Sequence, residues 1–155
     1  MKEITTLKDL MIHELQSLQE AEDVWSQALK ENAPHIANAE LKKLFEKGTT
    51  AALEHAQKII KLLKDLGTTV LTRKNIVAYD LVRELNEMQQ KSLDAEVLDA
   101  GLIVTHQCMN HYMIAKYGSV ASYARLLEEE KNEDAYLSQL AETNINVKAK
   151  ATLIL

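Results

Sequence analysis

The sequence predicts an all-α fold, a bundle of four long antiparallel helices with one additional short helix in the middle connection. Three observations predict it. Apolar residues recur at every third or fourth position through four long stretches, the period of one helix face. Only four glycines and one proline punctuate the 155 residues, and most of them fall between those stretches. Aromatic residues make up 5% of the chain, which leaves the packing to Leu, Ile, Val and Ala. The length suits one domain over residues 1–155, with enough chain to bury a core without disulfides.

The first helix is expected to start after Thr6, with Asp9 as a capping-box partner, and to stop before Pro34, whose ring disfavours helix at Ala33. Its seam reads Leu7, Met11, Leu15 or Glu14, Leu18, Glu22, Trp25 and Leu29. Glu22 interrupts an apolar face, and a carboxylate there is costly to desolvate unless something pairs with it, bonds it or binds it. The second long helix runs from near Asn38 to Gly67, on Leu41, Leu44, Phe45, Gly48, Ala52, His55, Ile59, Leu62 and Leu66, with a histidine facing inward. Residues 67–75, GTTVLTRKN, have no helical period and read as a connection. A shorter amphipathic helix follows from about Ile76 to Gln90, with Tyr79, Val82, Leu85 and Met88 or Gln89 on its face.

The third long helix is expected from about Leu93 to Tyr117. Its first half, AEVLDAGLIV, is apolar on more than one face, so it needs cover on two sides, from the short helix or from a second subunit. A homodimer is the economical expectation. Gly118 and Ser119 read as a stop and a restart, leading into a fourth long helix from Val120 to about Asn144. Its seam is Tyr123, Leu126 or Leu127, Glu130, Glu133 or Asp134, Leu137 and Leu140 or Ala141. The tail ATLIL, 151–155, is more apolar than a frayed end.

A net charge of −5, with Lys and Glu interspersed, leaves no basic footprint for nucleic acid and no polybasic patch for a membrane. No run approaches the roughly 18 apolar residues of a membrane span. Cys108, the single cysteine, lies between apolar stretches and reads as a small buried hydrophobe in a reducing compartment, the cytoplasm. There is no Gly-rich phosphate loop, Cys-x-x-Cys pair or nucleophile elbow, so no catalytic residue set is expected.

Short outer turns and a long middle connection describe a bundle with one crossover, of which the ferritin-like arrangement is one. Glu22, His55, His106, Asn110, Glu130 and Glu133 or Asp134 all fall at or beside seam positions, so each long helix contributes something polar. The complete two-metal pattern of such bundles takes a Glu from each of two helices and a Glu-x-x-His pair from each of the other two. Here Ala51 and Ala52 precede His55, and Glu133 stands where that pattern wants histidine. Glu22, His55, Glu130 and Asp134 hold one ion at best, with iron, zinc or manganese equally suited to such ligands. The alternative is a buried polar cluster in which the acids are bonded to Tyr, Asn or His, His55 donates to one of them, and His106 and Asn110 bond each other one turn apart.

The segments TLKDLMIHELQSLQEAEDVWSQAL, HYMIAKYG (111–118) and LEEEKNEDAYL (127–137) carry a resemblance that runs over nearly the whole chain. In them the sequence resembles the YciF-like bacterial stress proteins of the ferritin-like superfamily. The resemblance implies a ferritin-like bundle, commonly dimeric, in cytoplasmic stress-associated proteins of unsettled activity, and a frame for a metal site. On that frame Glu22, His55, Glu130 and Asp134 match, whereas Ala51 stands where many members have glutamate. Asn110-His111-Tyr112-Met113 replaces a usual Glu-His-Tyr-Glu, so both carboxylates are gone there, and the chain is shorter between Gly118 and Leu127. The expectation is therefore a stress-associated bundle with a degraded two-metal site. A protein that handles iron or redox chemistry with one remaining ion, and an interaction scaffold, are the alternatives.

Overall fold

The computed structural model describes residues 3–69 and 73–127, and these form an all-α bundle. Thr6 opens α1 (Leu7–Asn32): its hydroxyl accepts from the Asp9 amide at 3.0 Å, and the Asp9 carboxylate accepts from the Thr6 amide at 3.2 Å. This is the reciprocal box expected from the sequence. The helix ends where Pro34 enters a single 3-10 turn, Ala33–His35. Asn38 caps α2 (Ala39–Asp65) by accepting from the amides of Glu40 and Leu41. At its other end Gly67 takes φ 71°, and the amides of Gly67 and Thr68 close back on the carbonyls of Lys64 and Leu63. Glycine adopts that left-handed position without a steric penalty, so α2 stops there. Asn75 and Asp94 cap α3 (Ile76–Lys91) and α4 (Ala95–Leu126).

Contacts between helices set their directions. Gly48 lies against Leu29 and His55 against Glu22, so α2 runs antiparallel to α1. Trp25 beside His106 and Glu22 beside Tyr117 make α4 antiparallel to α1 as well. The short helix α3 runs parallel to α1, with Asn75 bonded to Ser17 and Asn86 to Asn32. Met11, Leu15, Leu18, Phe45, Ile59, Leu85, Leu102 and Met109 are fully buried between these helices. Each such burial contributes on the order of 1.5–3 kcal/mol. Among the described residues the structure has the all-α helical-bundle class expected, with α1, α2 and α4 long and a short helix, α3, between α2 and α4.

Four particulars differ from the sequence expectation. First, α4 passes through Gly118 and Ser119 without a break. The buried face continues in phase from Met113 and Tyr117 to Val120, Ala121 and Ala124, and packing along it overrides a glycine on the exposed side. Second, on that last stretch Leu126 is exposed, while Tyr123 and Leu127 are partly buried against the core, so the expected seam holds except at Leu126. Third, α3 turns Ala78, Leu81, Val82 and Leu85 inward, while Tyr79 and Met88 are exposed, and the Tyr79 hydroxyl donates to Glu20 at 2.7 Å. Fourth, Cys108 is exposed. It stands two residues past the inward His106, which at 100° per residue is the opposite side of the helix. The expected helix beyond Leu127, with Glu130, Glu133 and Asp134, and the ATLIL tail lie outside the described residues. Among the described residues no helix is long and apolar enough to cross a membrane.

Candidate functional site

Glu22 sits near the middle of α1, 2% exposed, between α2 and α4. Its Oε1 accepts from the Tyr117 hydroxyl at 2.5 Å and lies 3.1 Å from His55 Nδ1. The two rings meet edge to face, 6.1 Å between centroids. An ionised carboxylate makes the imidazole the donor, and two donors on one oxygen offset the cost of burying it. Helix geometry accounts for the convergence: His106, Asn110, Met113 and Tyr117 stand four, three and four residues apart on one side of α4.

Two and three turns before Tyr117 the same side carries polar groups without a bond. The His106 ring is 1% exposed and stacks between Trp25 (5.7 Å, 27°) and Phe45 (5.1 Å, 28°). Neither of its nitrogens, nor Asn110 Nδ2, has a hydrogen-bond partner among the described residues. The expected bond between His106 and Asn110 is therefore not formed: the aromatic stack fixes the imidazole plane between two rings. Burial pushes the His106 imidazole down to about 4, so it is neutral at pH 7. A cavity of about 20 Å³ is bordered by Glu22, His55, His106 and Asn110, and Gly48, Ala51 and Ala52 on α2 leave the space open.

The donor set bears directly on the metal expectation. Two close ions need several bridging carboxylates, and the described residues bring one, Glu22, to this place. Among the described residues no group of three or more His, Cys, Asp or Glu side chains is arranged to hold a metal ion. A two-metal centre does not fit them. Glu22 and His55 come together, whereas Glu130, Asp134 and Glu133 lie outside the described residues.

Three polar residues of structural weight are not singled out by the sequence pattern. Tyr117 is one, although its spacing from His106 and Asn110 is an available signal. Asn75, in a segment that reads as a plain connection, donates to the Ser17 carbonyl at 3.0 Å and to the Tyr112 hydroxyl at 2.7 Å. Asp99 accepts from the amides of Ala37 and Asn38 at 3.1 and 2.7 Å, fastening the α1–α2 corner to α4.

A family model described as a domain of unknown function, DUF892, matches residues 6–152. Protein YciF of Escherichia coli (strain K12) is 31% identical over 159 aligned residues, covering 94% of this chain and 96% of that protein. The crystal structure of the Escherichia coli stress protein YciF superposes with a TM-score of 0.92 at 26% identity, covering 97% of this chain and 95% of that one. The structure of YcfI, a putative structural protein from Rhodopseudomonas palustris, gives the same TM-score at 22% identity, covering 97% and 96%.

Proposed function

This chain belongs to the DUF892 family, and on that premise we propose that it is a stress-associated, homodimeric bundle protein of the cytoplasm whose interior polar residues join helices instead of holding two metal ions. The observation that carries the reading is the Tyr117–Glu22–His55 triad. One oxygen of the carboxylate that such a centre needs, Oε1, already accepts from a phenol and an imidazole of two other helices. Ala51, Asn110 and Met113 supply no further carboxylate. The description of the Escherichia coli relative as a stress protein supports the association with stress. Exposed Leu93, Val97 and Val104, four and seven residues apart along and just before α4, support a second copy as the partner of that face.

Elemental analysis of protein purified without a metal-affinity tag tests the first part. Metal far below one ion per chain is expected; stoichiometric metal that disappears in Glu22→Ala overturns it. Native mass measured at several concentrations tests the dimer, and Val97→Lys with Val104→Glu is expected to give monomer. One observation favours a second reading: a carboxylate on His55 Nδ1 is also how a metal-binding imidazole is oriented. On that reading one iron, zinc or manganese ion is retained among Glu22, His55, Glu130 and Asp134, and the same metal analysis separates the two.

A further inference from the structure

We propose that the cavity beside the Glu22 triad is a binding site for one neutral hydrogen-bonding molecule, a water, held between the His106 imidazole and the Asn110 carboxamide. His106 and Asn110 are 1% and 4% exposed, and their ring nitrogens and Nδ2 have no partner among the described residues. Buried polar atoms left bare are costly, and both side chains border the same cavity. Its volume, about 20 Å³, exceeds the roughly 10–15 Å³ that one water requires. On the α2 side the cavity is bordered by the small residues Gly48, Ala51 and Ala52.

Charge selects the ligand class. The N–H groups of Asn110 Nδ2 repel a cation, and the one carboxylate on the wall, Glu22, already accepts at Oε1 from Tyr117 and His55. An anion meets that same carboxylate, while the neutral His106 ring provides no positive charge against it. A neutral imidazole offers one N–H and one lone pair, and the amide adds donors. A molecule that both donates and accepts satisfies both side chains at once.

Water-to-protein cross-relaxation on the 15N-labelled full-length chain tests this at the Asn110 side-chain amide. Cross-peaks to water longer-lived than those of exposed amides are expected, and Ala51→Val, which narrows the cavity from a half-buried position, is expected to abolish them. A crystal structure of the unaltered chain is expected to show one density peak within hydrogen-bond distance of Asn110 Nδ2 and a His106 nitrogen. The proposal is overturned if Asn110 shows only fast-exchanging contacts, if its amide is bonded to a side chain from residues 128–155, or if the peak is a metal by anomalous scattering. Missing cross-peaks in metal-free protein sink this site and leave the triad reading intact. Stoichiometric metal lost in Glu22→Ala, with the cross-peaks unchanged, does the reverse.

Discussion

Glu22 tests whether a buried acid is kept for its charge or for its hydrogen bonds. Tyr117→Phe removes the shorter of the two bonds to Oε1 and leaves a desolvated oxygen with one donor. A loss of about 1–3 kcal/mol in denaturant unfolding is expected. Glu22→Gln keeps an oxygen for both donors and desolvates more cheaply, so it is expected to stay within about 1 kcal/mol of the parent near neutral pH. A Gln variant less stable than the Phe variant would mean that the charge itself is required. His106 gives a pH signature of defined sign. Its folded value of about 4 lies below the ordinary 6.5, so the unfolded chain binds the extra proton first. Stability contributed by keeping the ring neutral is complete above pH 6.5 and is lost as pH falls through that window towards 4, by roughly 3 kcal/mol. His106→Phe, which preserves the stack between Trp25 and Phe45, is expected to flatten this part of the stability profile. An unchanged slope in that variant would assign the acid sensitivity elsewhere.

Two glycines of similar appearance in the sequence have opposite parts in the elements. Gly67 holds φ 71° at the end of α2, where an added side chain is strained whatever the space, so Gly67→Ala is expected to cost about 1–2 kcal/mol. Gly118 lies inside α4 with nothing within 4 Å of the place a methyl group would take, so Gly118→Ala is expected to stabilise by up to about 1 kcal/mol. Thermal unfolding of the pair reads both signs, and a destabilised Gly118→Ala would mean that α4 needs its flexibility there. The same contrast explains how much can be read from sequence. Caps made by neighbouring residues, Thr6 with Asp9 and Asn38 with its own helix, are local and legible. The passage of α4 through Gly118 and Ser119 goes with the burial of Val120, Ala121 and Ala124 in the core, which no dipeptide reports. Glu22 and His55 stand out as inward because a polar residue on an apolar seam is a local anomaly. That Tyr117 is their partner depends on the relative rotation of three helices, and an aromatic residue on a seam looks like ordinary core.

At the scale of the whole molecule, cohesion depends on side chains in connections as well as on helix faces. Asn75 precedes α3, yet it reaches α1 through the Ser17 carbonyl and hydroxyl and α4 through Tyr112, while its Oδ1 caps the amide of Ala78. One buried amide thus joins three helices, and its loss should be felt beyond its own turn. Asn75→Ala removes both the cap and the tie; roughly 2–4 kcal/mol is expected, since a cap alone is worth about 1 kcal/mol and the rest comes from buried groups left unpaired. Asn75→Ser retains an oxygen able to cap but is too short to reach Ser17, so it is expected to recover only the capping share. Hydrogen exchange adds the spatial readout: in both variants the α3 amides are expected to exchange through an opening that leaves α1 and α2 protected, because α3 is the element whose docking the tie secures. Full recovery of stability in Asn75→Ser would show that the cap alone matters. Uniform loss of protection across α1, α2 and α3 would show instead that the bundle opens as one unit, with Asn75 as part of its common core.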